Sequence, residues 1–277
     1  MATNVLDSTH PTIDPDRPTR THATIGEEWQ IIYSQGGIVM STMLRAATRV
    51  LARPDLQLSA MSATFIKPVP MGDVVIDVEV LRSGRNGAQT SIELRDATSA
   101  ANGDGPNTVI TAVFIAADDN APTVRSLSCP PELLGTPTPE HVAATAPREQ
   151  AFLERTDWVL TPEQPDDTNR QLMWFRFHEA PLTDDGTWER STLVVPADTL
   201  GTAIHSAMMA KGDREVFSVS LQITVQFHAD AHGEWVGVDS SVWDISNGLA
   251  SGPASLWDTD GTLVATVTQT AKLRLEW

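Results

Sequence analysis

The residue types that most often carry catalysis are poorly arranged for it along this chain. The seven histidines form no HExxH pair and no close cluster with aspartate or cysteine, so no metal site is expected. Ser34 in "YSQGG" and Ser251 in "LASGP" lack the GxSxG turn that presents a serine nucleophile. The one cysteine, Cys129, is followed by Pro130 and Pro131 in a loop-like stretch and is read as inert. What remains is a set of polar groups at helix mouths and on strands. Asp198 stands at the start of a helical run, where dipole and free N–H groups stabilise a carboxylate; it is a proton acceptor or an ordinary N-cap. Gln269 interrupts "DGTLVATVTQTAKLRLEW", a strand-like run of threonines and valines, as a water-holding amide or a solvent-facing strand residue. Ser220 in "FSVSLQITV" offers a hydroxyl or is a routine strand serine. Gly36 and Gly37 open another helix, where bare N–H groups suit a developing oxyanion or the glycines serve close packing.

The elements that must position these groups emerge when the chain is compared with itself. "GGIVMSTMLRAATRVLA" from Gly36 has apolar residues at helical spacing, and "ADTLGTAIHSAMMAKG" from Ala197 is its counterpart. Each is followed by alternating, strand-like segments joined by Gly/Asn/Asp turns. An offset of 161 links Gly37 to Asp198, Ser59 to Ser220, Lys67 to His228, Gly72 to Gly233 and Gly87 to Gly248. By the last strands it falls to 156, which sets Gln269 against Val113. The repeat predicts a duplicated α+β fold: two antiparallel sheets, each wrapped around one long helix, joined edge to edge. The expected boundaries are a flexible N-terminus over 1–20, a first unit over 21–120, a proline-rich linker over 121–150 and a second unit over 151–277. Under those offsets the first unit lacks the aspartate and the glutamine, so only the second keeps a polar site.

Composition sets the surroundings. With 41% apolar residues, 277 residues can build a substantial core, and no window approaches the length of a membrane span. The polar, proline-punctuated start has no signal-peptide centre, which suggests a cytoplasmic protein. A net charge of −17 argues against a nucleic-acid partner.

The Gly-Gly-led helix and "FIKPVPMGD" in the first unit, then "ADTLGTAIH", "VQFHAD" and "DGTLVATVTQ" in the second, resemble the double-hotdog acyl-CoA thioesterases, the bacterial type II enzyme and its peroxisomal relatives. The resemblance runs from about Trp29 to the C-terminus. It implies hydrolysis of a fatty acyl-CoA by a water held by an Asp, a Thr/Ser and a Gln, at positions that are here Asp198, Ser220 and Gln269. Serine in place of threonine keeps the hydroxyl and loses the methyl that fixes its rotamer. The resemblance further implies no cofactor, an acyl-CoA substrate and a homodimer of double hotdogs in fatty acid metabolism. Lys67 and Arg45 are candidates to meet CoA phosphates. Two other readings stand beside it. A hotdog hydratase or dehydratase would use Asp and His five apart on the helix, whereas Asp198 and His205 are seven apart. A non-catalytic acyl-CoA-binding protein is the third.

Overall fold

The computed structural model describes residues 4–118, 120–144, 150–212 and 217–274. The alternating segments form strands β1 (Thr12–Ile13), β2 (Arg20–Ile25), β3 (Gln57–Phe65), β4 (Gly72–Gly84), β5 (Gly87–Asp96) and β6 (Thr108–Ile115) in the first half. The second half supplies β7 (Thr156–Leu160), β8 (Arg170–Phe177), β9 (Phe217–Phe227), β10 (Val236–Ser241), β11 (Asp244–Ser246), β12 (Leu249–Trp257) and β13 (Leu263–Arg274). Helices are α1 (Val5–Ser8), α2 (Gly36–Leu51), α3 (Ala97–Asn102), α4 (Pro139–Ala144), α5 (Val194–Ala197) and α6 (Leu200–Ala210).

All pairings are antiparallel and build one sheet in the order β1-β2-β4-β5-β6-β3-β9-β13-β12-β10-β8-β7, with β11 attached to β12. The second half repeats the order of the first in reverse. The halves meet at β3 and β9, where Ala60–Thr64 pair with Gln226–Gln222 and the Ser62 and Thr224 hydroxyls lie 3.1 Å apart. The expected edge-to-edge junction is therefore present, and the two units form one continuous sheet. Each half's helix lies on its own strands: α2 against β2, β4, β5 and β6, α6 against β8, β9, β10, β12 and β13.

Strand register corrects the repeat. The pair Val78–Ile92 of β4–β5 falls on Ser240–Ala254 of β10–β12, a shift of 162 at both positions. Ile92–Ile110 falls on Ala254–Val267, so the last strand is shifted by 157. Burial agrees, since Met61 and Ala63 match Ile223 and Val225 in facing the core. Offsets of 161 and 156 are each one residue short, and a one-residue slip in a strand moves a side chain to the opposite face. Gln269 thus corresponds to buried Ala112, not Val113, and Ser220 to Leu58, not Ser59. The same shift carried to the helix entrance sets Asp198 against Gly36. All three polar groups, not two, are absent from the first half.

Three further expectations change. The single long helix of the second half is broken, with Asp198 at φ −85°, ψ 63° between α5 and α6. Residues 4–13 are not a free lead-in: Val5 is wholly buried, and Arg45 donates to the Val5 and Leu6 carbonyls and to the Thr9 hydroxyl. Those bonds direct the Arg45 guanidinium to the N-terminal segment, so it is not a free surface cation. In the described part of the proline-rich stretch, 121–144, most residues are exposed and fully buried Leu133 packs among Val159, Leu172, Trp174, Trp235 and Trp257.

Candidate active site

Helix α2 begins after Gln35, whose side-chain oxygen accepts the Ile38 N–H at 2.9 Å and so caps the helix. Helix α6 begins after Thr199, which makes no side-chain cap. The cap comes from across the sheet instead: the Gln269 Oε1 on β13 accepts the Leu200 N–H at 3.1 Å. Two buried glutamines, one from each half, thus cap the two central helices.

Both direct their remaining amide N–H groups at one carboxylate. Gln269 Nε2 donates to Asp198 Oδ1 at 2.7 Å and to Ser220 Oγ at 2.8 Å, and Ser220 Oγ donates to the same Oδ1 at 2.8 Å. Gln35 Nε2 lies 3.4 Å from Asp198 Oδ2. That second oxygen rests on the start of α2, where a side-chain carbon on Gly36 would come within 2.5 Å of it. Any residue but glycine at position 36 would push the carboxylate away. Gly37 is demanded by packing: an added carbon would lie 2.4 Å from the Val195 Cα of α5. The close-packing reading of Gly37 is therefore realised, helix on helix rather than helix on sheet.

Burial pushes the Asp198 pKa up, opposed by the hydrogen bonds from Ser220 and Gln269 and by the Gly37 N–H. No charged neighbour contributes. An aspartate held short of full ionisation pressure, bonded on one oxygen and turned toward a helix N-terminus with the other, is equipped to accept a proton.

Asp198, Ser220, Gln269, Gly36 and Gly37 are thus brought together from four elements spread over more than 230 positions. Gln35 joins them and was missed by sequence reasoning; the available signal was a polar residue immediately before a helix-opening Gly-Gly, an N-cap position. Other candidates lie elsewhere. His205 is exposed on α6, the Ser34 hydroxyl has no hydrogen-bond partner, and the Cys129 thiol donates to the Pro130 carbonyl. Burial raises the Cys129 thiol to about 11, which suits an inert thiol. Lys67 remains exposed, donating to the Gly105 carbonyl. Among the described residues no group of side chains is arranged to hold a metal ion, and no helix is long and apolar enough to cross a membrane.

Solved structures share the architecture. A conserved protein with the hot dog fold from Alicyclobacillus acidocaldarius matches with a TM-score of 0.78 at 20% identity, covering 99% of this chain and 98% of that one. A TesB protein from Mycobacterium avium subspecies paratuberculosis gives 0.76 at 19%, covering 98% of each. Acyl-CoA thioesterase II TesB2 from Mycobacterium marinum gives 0.73 at 19%, covering 98% and 96%. These likenesses establish the hotdog fold. No curated protein sequence matches. The acyl-CoA thioesterase N-terminal domain matches residues 26–115 and the C-terminal domain residues 126–273. Those two matches take in every strand from β3 onward, and the chain belongs to the acyl-CoA thioesterase family.

Proposed function

We propose that the protein hydrolyses an acyl-CoA thioester to the free acid and CoA, with Asp198 as general base toward a water. The observation that carries this is the Asp198 carboxylate, held on Oδ1 by Ser220 and Gln269 and presented with Oδ2 at the start of α2. A thioester needs little else. Its carbonyl is electrophilic and its thiolate leaves readily, so a positioned water, a base and an oxyanion donor suffice, without a covalent nucleophile. Water bound to Oδ2 gives its proton to Asp198 as its oxygen attacks the carbonyl carbon. Ser220 and Gln269 fix the carboxylate, and Gln35 fixes it from the other side. The Gly36 N–H stabilises the oxyanion with the α2 dipole behind it, while the Gly37 N–H bonds the Asp198 carboxylate. Collapse of the tetrahedral intermediate expels CoA thiolate, which takes up a proton.

The hydratase alternative is disfavoured by His205, which faces solvent and cannot share a substrate with Asp198. The non-catalytic alternative leaves a buried aspartate, bonded on Oδ1 by Ser220 and Gln269, without a purpose. Thiol release from acyl-CoAs of increasing chain length, measured on the purified protein, tests the proposal; no release from any of them would refute it. We further propose a homodimer, supported by the family resemblance and by the outer strands β1 and β7, each of which has one edge without a neighbouring strand among the described residues. Light scattering that returned a monomer at micromolar concentration would remove the dimer.

A further inference from the structure

The Asp198 site has a buried back and an accessible front. Gln35 and Gln269, each 5% exposed, and buried Gly37 close it from behind. Asp198 itself, Gly36, Ser220 and Phe65 are only half-buried, so the carboxylate meets solvent on their side. The hydrolytic reading gives Asp198, Gly36 and Ser220 a task. Phe65 has none there, and it is the apolar side chain of the four.

Its place follows from the strand. Along β3 the core-facing residues Met61, Ala63 and Phe65 alternate with Ser62 and Thr64, and Phe65 is the last before the strand ends. Pairing with β9 stops at Thr64, opposite Gln222, which leaves Phe65 at the open end of the junction on the side of Ser220. The ring closes on the helix entrance. A side-chain carbon on Gly36 would lie 3.3 Å from Phe65 Cζ and 2.5 Å from Asp198 Oδ2, so ring tip and carboxylate oxygen border the same missing carbon. The second half supplies the comparison: the strand register that matches Met61 and Ala63 to Ile223 and Val225 sets Phe65 against Phe227, which is 6% exposed and part of the core. One residue type at one register position fills the core in one half and stands half-buried beside the reactive carboxylate in the other.

A ring against a carboxylate oxygen acts by what it keeps away. Its carbons offer no hydrogen bond in place of the water they displace, and a less hydrated carboxylate holds a proton more tightly. Burial is the largest influence on Asp198, opposed by Ser220, Gln269 and the Gly37 N–H. Charged groups on the surrounding elements are turned elsewhere: Arg45 and Arg49 of α2 bond the N-terminal segment, while His205 of α6 and Lys272 and Arg274 of β13 are exposed. Strands β3 and β9 and helix α5 carry no titratable side chain.

We infer that Phe65 is a positioning residue of this site, its ring screening the open side of Asp198 Oδ2 from bulk water so that the water held there is the one that attacks. The inference rests on the hydrolytic reading above.

The test is the pH profile of kcat/KM for Phe65→Ala, measured by thiol release from the acyl-CoA cleaved fastest in the chain-length series. Opening Oδ2 to water should carry the acidic limb down toward the ordinary aspartate range and lower kcat on the plateau by on the order of tenfold, because a weaker base takes the proton less readily. Phe65→Leu, which keeps apolar cover should alanine disturb folding, should move the limb in the same direction by less. Phe227→Leu is the control: it should lower the melting temperature through a poorly filled core and leave the limb in place. A limb unmoved in both Phe65 variants, or moved equally by Phe227→Leu, would overturn the inference and leave the hydrolytic proposal standing. If no acyl-CoA is cleaved the hydrolytic proposal falls. Proton uptake on acidification, taken as the difference between wild type and Asp198→Asn and repeated in the Phe65→Ala background, then decides whether the ring screens the carboxylate: an Asp198 titration at lower pH without the ring upholds the screening, and an unchanged one overturns it.

Discussion

The two halves share one plan, and at three places on it the second carries a polar group that the first lacks. Where the second half has Asp198, Ser220 and Gln269, the first has Gly36, Leu58 and Ala112. Elsewhere they keep even their salt links in parallel: Asp77 accepts two 2.8 Å bonds from Arg20, and Asp239, 162 residues on, accepts two from Arg170. The lesson is a division of labour. The first half contributes a filled core, a glycine-opened helix N-terminus and a capping glutamine, while the second contributes the acid, the hydroxyl and the amide. Neither half holds the site alone, because the Asp198 carboxylate of one lies on the α2 entrance of the other.

The largest effect should come from Asp198→Asn. The amide matches the carboxylate in volume but cannot accept the proton of a water, so thiol release should fall a hundredfold or more while the thermal melt stays cooperative. Wild-type rates would deprive the second half of its distinguishing acid.

Gln269→Ala, which copies Ala112, should follow. It removes a bond to Asp198, a bond to Ser220 and the cap on Leu200, so the rate should fall at least tenfold and stability by about 1–2 kcal/mol. Ala112→Gln should spare the rate and cost about 1–3 kcal/mol, since it buries an amide with no partner prepared for it. Equal rate losses from the two would dissolve the contrast between the halves.

A smaller effect, on the first half's contribution, is expected of Gln35→Glu. Its side-chain oxygen can still cap α2, but a second carboxylate then faces Asp198 Oδ2, and two acids so close cannot both ionise. The acidic limb of kcat/KM should move to higher pH, with KM little changed. An unmoved limb would mean that Gln35 serves the helix alone.

The finest test is the pH profile of the wild type against Ser220→Ala. Burial raises the Asp198 pKa, so the acidic limb should lie above the ordinary aspartate value of about 3.9. The Ser220 bond opposes that rise, and deleting it should carry the limb higher still. The stability sign follows: a raised folded-state pKa means the folded protein holds this proton more tightly. The contribution of Asp198 to stability is complete below its unfolded pKa and is lost as pH rises through the folded one. A limb at or below the ordinary value would count against burial as the controlling influence.

Much of this was legible beforehand, for identifiable reasons. The duplication shows in the spacing of turn glycines, because turns with positive φ tolerate few other residues; Gly72, Gly233 and Gly248 all adopt it. The second-half acid, hydroxyl and amide could be named from a resemblance in motif order. The register could not: turns can absorb a residue that strands cannot, so an offset taken from turns was one short in the strands. Gln35 stayed hidden because its partners, Ile38 three residues away and Asp198 in the other half, are related only in space.

By itself the sequence determined the alternation of strands and helices, the existence of two homologous units and the acidic character of the chain, since these depend on periodicity and composition. Only the tertiary structure decided which residues face each other across the repeat, that the second helix breaks at Asp198, and that two glutamines converge on its carboxylate. Those outcomes rest on register and on close approach between distant backbones, where one residue or one methyl group changes which atoms meet.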